Sequence, residues 1–412
     1  MYIGNGRTFI GGSELIPASP RAKSIEYAIR DVVVPAMELE SQGHKILKLN
    51  IGDPIAYPGL STPQHMVDAY VESLQSGQNG YSGSYGIEEL RVAIANDETS
   101  KGWNCNPSLV YVTHGVTEAL QILFSAVLTD GDKILAPGPH YPPYMAYPQM
   151  SGATTEEYVL NPNNGWKVDI DDIRSRMDNN VRMLVLINPN NPTGNVLTPD
   201  EIDEILEIVK EYPNCMVIAD EIYDGLDYTG HHVSIASRST NVPVITLNGV
   251  SKVYYAPGWR IGYMAFHDPL GNLSEVIDSV ERLLRSRLCA STPAQMGYLA
   301  GLTQDREWMN EHRKIVLERR EIALNRINGI EGMHVEPTGG AFYMFVRITH
   351  PKWKDDDKGF VLSLLQEEKV LLVHGSGFSA ERGSGHVRLV HLADPDTLNE
   401  AFDRIERFLN NS

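Results

Sequence analysis

From about residue 49 the chain alternates short apolar runs, each bounded by Gly, Pro or Asn, with longer stretches whose apolar residues recur at helical spacing. That alternation predicts βα units on a largely parallel sheet covered by helices. The runs LVYVT, DKILAP, RMLVLIN, MVIAD, VPVITL and IGYMAF read as strands, and the intervening VTEALQILFSAVL and PDEIDEILEIVKEY carry helical periodicity. Between residues 305 and 330, REWMNEHRKIVLERREIALNRI predicts one long charged helix, with Ile315, Leu317, Ile322 and Leu324 among its apolar positions. Beyond it, GGAFYMFVRI, KVLLVHG and GHVRLVHL read as strands and LNEAFDRIERFL as a terminal helix. Ahead of the alternation, residues 21–42 have apolar residues at helical spacing, with Pro35 expected at a kink or helix junction.

A chain of 412 residues is too long for one ordinary core. The expected architecture is α/β. A large domain spans residues 49–305, a smaller α+β domain spans 306–412, and residues 1–48 form an N-terminal arm and part of the small domain.

Composition narrows the class. Hydrophobic residues make up 42% and charged residues 21%, the proportions of a soluble globular protein. A net charge of −18 argues against nucleic-acid binding, which calls for basic stripes. Cys105, Cys215 and Cys289 are widely spaced and form no CxxC, so neither a metal site nor a disulfide framework is expected. The N-terminus lacks a basic start followed by an apolar core, and no apolar run approaches a membrane span. A cytoplasmic enzyme follows as the expectation.

Candidate chemistry gathers at the carboxyl ends of the strands, where open α/β sheets bind ligands. After LVYVT comes HGVTEAL, in which Gly115 turns into a helix whose first amides, at Val116 and Thr117, make an anion site with the Thr117 hydroxyl. After DKILAP comes GPHYPPY, where Tyr141 can lie against a planar ligand. NPNNPTG follows RMLVLIN, and its Asn191 offers a donor and an acceptor to a ring hydroxyl or a carboxylate. Asp220 ends MVIAD; a carboxylate at a buried strand end needs a cation such as a protonated pyridine nitrogen, and Tyr223 lies three residues on. VPVITL leads to Lys252, an amine able to attack a carbonyl, with Arg260 eight residues later as a clamp for a phosphate.

In this order LNIGDP, the stretch from Tyr81 (YSGSYGIEEL), HGVTEAL, PHYPPY, NPNNPTG, ADEIY, SK…GWRIG and HVRLVHL resemble the fold-type I, class I aminotransferases, which use pyridoxal 5'-phosphate. The resemblance runs from about residue 21 to the C-terminus. It implies that Lys252 forms the Schiff base with the cofactor, that Asp220 pairs with the pyridine nitrogen, and that Tyr223 and Asn191 contact the ring oxygen. It further implies that Tyr141 stacks on the ring and that Arg260, Ser251, Thr117 and the amide of Val116 hold the phosphate, with Tyr81 reaching it from the partner of a homodimer. Gly52 and Arg388 match the positions that bind the amino acid, Arg388 as a fork to its α-carboxylate. The chain departs from the pattern at Val116, Tyr255 and His374, which bears on pocket shape.

Within that family, SIEYAIRDVVVPA, NGVSKVYYAPGWR and RLCASTPAQ are similar to the alanine aminotransferase branch, implying L-alanine and 2-oxoglutarate as the substrate pair. Aspartate or an aromatic amino acid comes next, and a carbon-sulfur lyase would share the Lys252 apparatus. Arg282, Arg285 and Arg287 lie in a candidate region for the second carboxylate. A transcription regulator would need a basic helix-turn-helix domain, and a hydrolase or nucleotide-binding protein would need GxSxG or GxxxxGK[ST]; neither pattern is present.

Overall fold

A computed structural model describes residues 16–23, 25 and 32–412. In chain order its strands are β1 (Leu47–Lys48), β2 (Val110–Thr113), β3 (Lys133–Gly138), β4 (Thr154–Asn161), β5 (Lys167–Val168), β6 (Val181–Ile187) and β7 (Met216–Asp220). They continue as β8 (Val244–Gly249), β9 (Gly262–His267), β10 (Met333–His334), β11 (Tyr343–Ile348), β12 (Val370–Leu371), β13 (Val373–His374) and β14 (His386–Val390).

The expected α/β layering is present. An eight-stranded sheet runs β2-β9-β8-β7-β6-β3-β4-β5. The pairings β8–β7, β7–β6, β6–β3 and β3–β4 are parallel, while β9 runs against both its neighbours and β5 closes the far edge as an antiparallel ribbon. Every residue of β2, β7 and β8 is buried, as strands covered on both faces require. Alternate side chains feed two cores. Val217 and Ala219 pack into one, and Met216 and Ile218 into the other, where the helices Gly115–Val127 and Ser274–Arg287 bring Leu120, Leu123, Val280 and Leu284. The β4 ladder, TTEEYVLN, is absent from the strands read off the sequence because its residues are mostly half-buried and polar.

The helix PDEIDEILEIVKEY settles at Pro199–Val209, started by Thr198, whose hydroxyl accepts from the Glu201 amide while the Glu201 carboxylate accepts from the Thr198 amide. The long charged helix spans Glu307–Gly329. Beyond it a four-stranded antiparallel sheet, β10-β11-β14-β13, packs with the helices Asp357–Glu368 and Pro395–Asn410. KVLLVHG divides into β12 and β13, because β12 leaves that sheet to pair in parallel with β1. Of the helical stretch expected at residues 21–42, residues 24 and 26–31 lie outside the described ones. Pro35 does not kink a helix; it sits in the first turn of Val33–Ser41, where its missing amide has no intrahelical bond to lose. Among the described residues no helix is long and apolar enough to cross a membrane.

One contact between these elements shapes the site. A Cβ on Gly262, at the start of β9, would lie 2.7 Å from both Gly115 C and Val116 N, so the helix Gly115–Val127 can begin this close to the sheet only over a glycine. Gly262→Ala is expected to cost about 1–3 kcal/mol in urea unfolding, the usual toll of overpacking against backbone. An unchanged unfolding midpoint would contradict that close approach.

Candidate active site

The strand ends set the site out in a row. Across the sheet order the helix start after β2 comes first, then the turn after β8 that carries Ser251 and Lys252, then Asp220 at the end of β7. The turn after β6 with Asn191 and the turn after β3 with Tyr141 complete the row. From the small domain's side, β14 contributes Arg388, and the segment after β1 contributes Gly52. These residues, with Val116, Thr117, Tyr223 and Arg260, line one cavity of about 320 Å³, to which Ile51, Asp53, Ile187, Ile222, Pro257 and Tyr343 also contribute.

Lys252 sits in the cavity wall with its Nζ donating to the Gly52 carbonyl at 2.6 Å. Burial, then the positive charge of Arg388, lower its amine from 10.5 to about 8. Its neutral fraction at pH 7 therefore exceeds that of a solvated lysine by roughly 10²-fold. Asp220 is 4% exposed, and burial raises its carboxyl from 3.8 to about 6 against the opposing pull of its hydrogen bonds and of Lys252. Its Oδ2 accepts from the Tyr144 hydroxyl at 2.7 Å and its Oδ1 from the Ile222 amide at 3.4 Å. A carboxylate this dry is stabilised by a cation placed against it.

The other end of the cavity is built for an anion. Gly115 adopts φ +75°, and a Cβ there would lie 2.6 Å from Arg260 Nη2, so the guanidinium rests directly on the helix start. Arg260 itself takes a left-handed conformation at φ +55° and donates to the carbonyls of Pro257 at 2.8 Å and His114 at 3.4 Å. Unsatisfied helix amides, a guanidinium and the hydroxyls of Thr117 and Ser251 together form a phosphate donor set.

Arg388 is 2% exposed, and its guanidinium lies 4.5 Å from the Tyr343 ring centroid and 4.8 Å from that of Phe378. Its Nη1 donates to Asn191 Oδ1 at 3.1 Å and its Nη2 to the Asn50 carbonyl at 2.9 Å, while the buried Nε has no partner among the described residues. Stacked aromatic faces hold the fork flat and leave N–H groups for a carboxylate.

Sequence reasoning thus named Gly52, Val116, Thr117, Tyr141, Asn191, Asp220, Tyr223, Ser251, Lys252, Arg260 and Arg388, and all of them meet at this cavity. Gly115 does not line it but supports Arg260. Tyr81 is 84% exposed and lies outside the cavity of its own chain. Tyr144 and Tyr343 were missed: a tyrosine at a proline-rich helix start and another in an apolar strand carry no spelling that separates them from packing residues. None of the three candidate arginines lines the cavity. Arg282 faces Asp278 at 3.8 Å, Arg285 binds Tyr85 and Glu281, and Arg287 donates to the Val112 carbonyl at 2.7 Å and lies 3.3 Å from Glu118. Of the departures, Tyr255 turns away from the cavity at φ +54° to pack on His312, with ring centroids 4.5 Å apart. Buried His374 shares a hydrogen bond with Ser376 Oγ at 2.8 Å.

The model of the family described as aminotransferase class I and II matches residues 44–405. The chain is 37% identical over 404 residues to the glutamate-pyruvate aminotransferase of Haemophilus influenzae, across 96% of this chain and 98% of that one. It is similar to an alanine aminotransferase structure from Pyrococcus furiosus with a TM-score of 0.93 and 47% identity, across 96% of this chain and 100% of the other. The aspartate aminotransferase of Bacillus subtilis is 31% identical over 387 residues, across 92% of this chain and 95% of that one.

The raised Asp220 carboxyl has a consequence for stability. Its folded value, about 6, lies above its unfolded value of 3.8, so the ionised side chain opposes folding once the pH passes through that interval. In cofactor-free protein, Asp220→Asn should gain stability relative to the parent as pH rises from 4 to 6, levelling above it at about 3 kcal/mol. Urea melts at a series of pH values measure this, and a pH-independent difference would contradict the burial argument.

Proposed function

The chain belongs to the class I and II aminotransferases, and from that premise we propose that it transfers an amino group from L-alanine to 2-oxoglutarate, giving pyruvate and L-glutamate, with pyridoxal 5'-phosphate as cofactor. Class I members of the family use that cofactor. The observation that carries the reading is the convergence on one cavity of a lysine amine lowered to about 8, a buried carboxylate, and a helix start joined by Arg260.

The residues fit the cofactor. Arg260, Ser251, Thr117 and the amide of Val116, over Gly115, would hold its phosphate; Asp220 would face its ring nitrogen, Tyr223 and Asn191 its ring oxygen, and Tyr141 its ring face. When bound, pyridoxal phosphate supplies an aldehyde for the amine and a ring that accepts the electrons left on the α-carbon. Arg388 binds the substrate α-carboxylate and orients the α-carbon. Lys252 Nζ takes up the α-proton and returns it, a role that its lowered basicity suits. Asp220, a buried carboxylate that a facing cation would keep charged, would hold a proton on the ring nitrogen.

Alanine is preferred over aspartate as donor because the relatives named for glutamate–pyruvate or alanine transamination are the more similar ones, at 37% and 47% identity against 31%. The high exposure of Tyr81 supports a homodimer in which this side chain serves the partner's phosphate site. The three arginines after residue 280 lie outside the cavity lining and are not assigned to the second carboxylate.

Lys252→Ala is expected to bind pyridoxal phosphate without covalent attachment and to lose at least ~10²–10⁴-fold in turnover, the range of general acid–base catalysis. Turnover at the parent rate would end the mechanism. In a coupled assay of amino acids with 2-oxoglutarate, alanine should have the highest kcat/KM. If alanine ranks among the poorest donors, the substrate assignment fails while the reaction class stands; pyruvate and ammonia from sulfur amino acids would instead indicate a lyase.

A further inference from the structure

Tyr343 is 1% exposed on β11, where its side chain meets three parts of the cavity. Its hydroxyl lies 2.9 Å from that of Tyr223, with the two rings edge to face at 5.6 Å. A Cβ on Gly52 would lie 2.5 Å from the same hydroxyl, and Gly52 is the residue whose carbonyl holds Lys252 Nζ. The third part is Arg388, whose guanidinium covers the Tyr343 ring.

A phenol has one proton, so the direction of the bond between two adjoining phenols decides which of them can still donate to a third group. If Tyr223 donates to Tyr343, it has nothing left for a ligand. If Tyr343 donates, the Tyr223 proton is free to point into the cavity. We propose that Tyr343 is a positioning residue that donates to the Tyr223 oxygen and so commits the Tyr223 proton to the ligand in the cavity.

Local charge sets that direction. The Arg388 cation against the Tyr343 ring stabilises negative charge developing on the phenol oxygen, which strengthens its O–H as a donor. Burial, with the adjoining Tyr343 and the nearby Asp220 carboxylate, holds the Tyr223 phenol well above its ordinary value against the opposing pull of Arg388, so Tyr223 keeps its proton. Gly52 leaves room for the arrangement, since any side chain there would displace the Tyr343 hydroxyl. The role rests on the reading that the ligand is pyridoxal phosphate, whose ring oxygen is the acceptor that Tyr223 would serve.

The test is a double-mutant cycle on the full-length protein, read first as the equilibrium dissociation constant of pyridoxal phosphate. Tyr343→Phe keeps the packed ring and should weaken binding roughly 2- to 12-fold, the fold-change of one neutral hydrogen bond. Tyr223→Phe should weaken it at least as much, and the double variant should bind no worse than Tyr223→Phe alone. A second reading needs no cofactor: Gly52→Ala should lower the melting temperature of the parent and lower it less in the Tyr343→Phe background. Equal and additive effects of Tyr343→Phe in both Tyr223 backgrounds overturn the proposal while cofactor use stands. If the unmodified protein does not bind pyridoxal phosphate at all, the functional reading and this role fail together.

Discussion

The desolvation of Asp220 is the constraint around which the site is organised. β7 carries the side chain to the end of a strand that is buried along its whole length, so the carboxylate leaves water with, among the described residues, the Tyr144 hydroxyl and one backbone amide as donors. Two hydrogen bonds do not match the hydration of a charge, and the side chain is held partway toward its neutral form. Such an arrangement is unfavourable for the empty protein and favourable for a bound cation. The site is poised for a ligand rather than for its own stability, the pattern in which a functional centre departs from the rules its scaffold follows.

Lys252 is the counterpart. The next strand in the chain is also the neighbour of β7 in the sheet, and the turn after β8 places an amine in the same cavity, where burial and the Arg388 charge push its titration down. A carboxyl raised and an amine lowered within one cavity bring both groups toward neutral pH, where each can change protonation during a reaction. The glycines at 115 and 262 serve the opposite end. They let a helix start, a guanidinium and the sheet approach more closely than side chains allow, concentrating positive potential where an anion would lie.

The small domain completes the cavity from the other side. Arg388 sits in β14, opposite Phe345 of β11, and is pressed between the rings of Tyr343 and Phe378. Because β1 pairs with β12, the segment that carries Gly52 is tied to the same part of the molecule. The placement of Arg388 and the Lys252 contact to Gly52 therefore depend on how that part sits on the large sheet.

The sequence by itself determined the layering, because an apolar run bounded by turn residues has few alternatives to a covered strand, and it determined the polar residues at those strand ends. Asp220, Lys252, Asn191 and Arg260 were legible because their position after a strand is a local property. The helices at Pro199–Val209 and Glu307–Gly329 were legible for the same reason, since capping and periodicity act over neighbouring residues. Tertiary structure alone decided the partners. Tyr144 reaches Asp220 across 76 residues and Tyr343 reaches Tyr223 across 120, and no local pattern distinguishes either tyrosine from one that only packs. The arginines at 282, 285 and 287 carry the opposite lesson, as only the folded chain showed them outside the cavity, with Arg285 and Arg287 bound to other groups. Residue type and order specify which chemistry is present; distance and burial, which exist only after folding, specify the protonation state and orientation in which it is held.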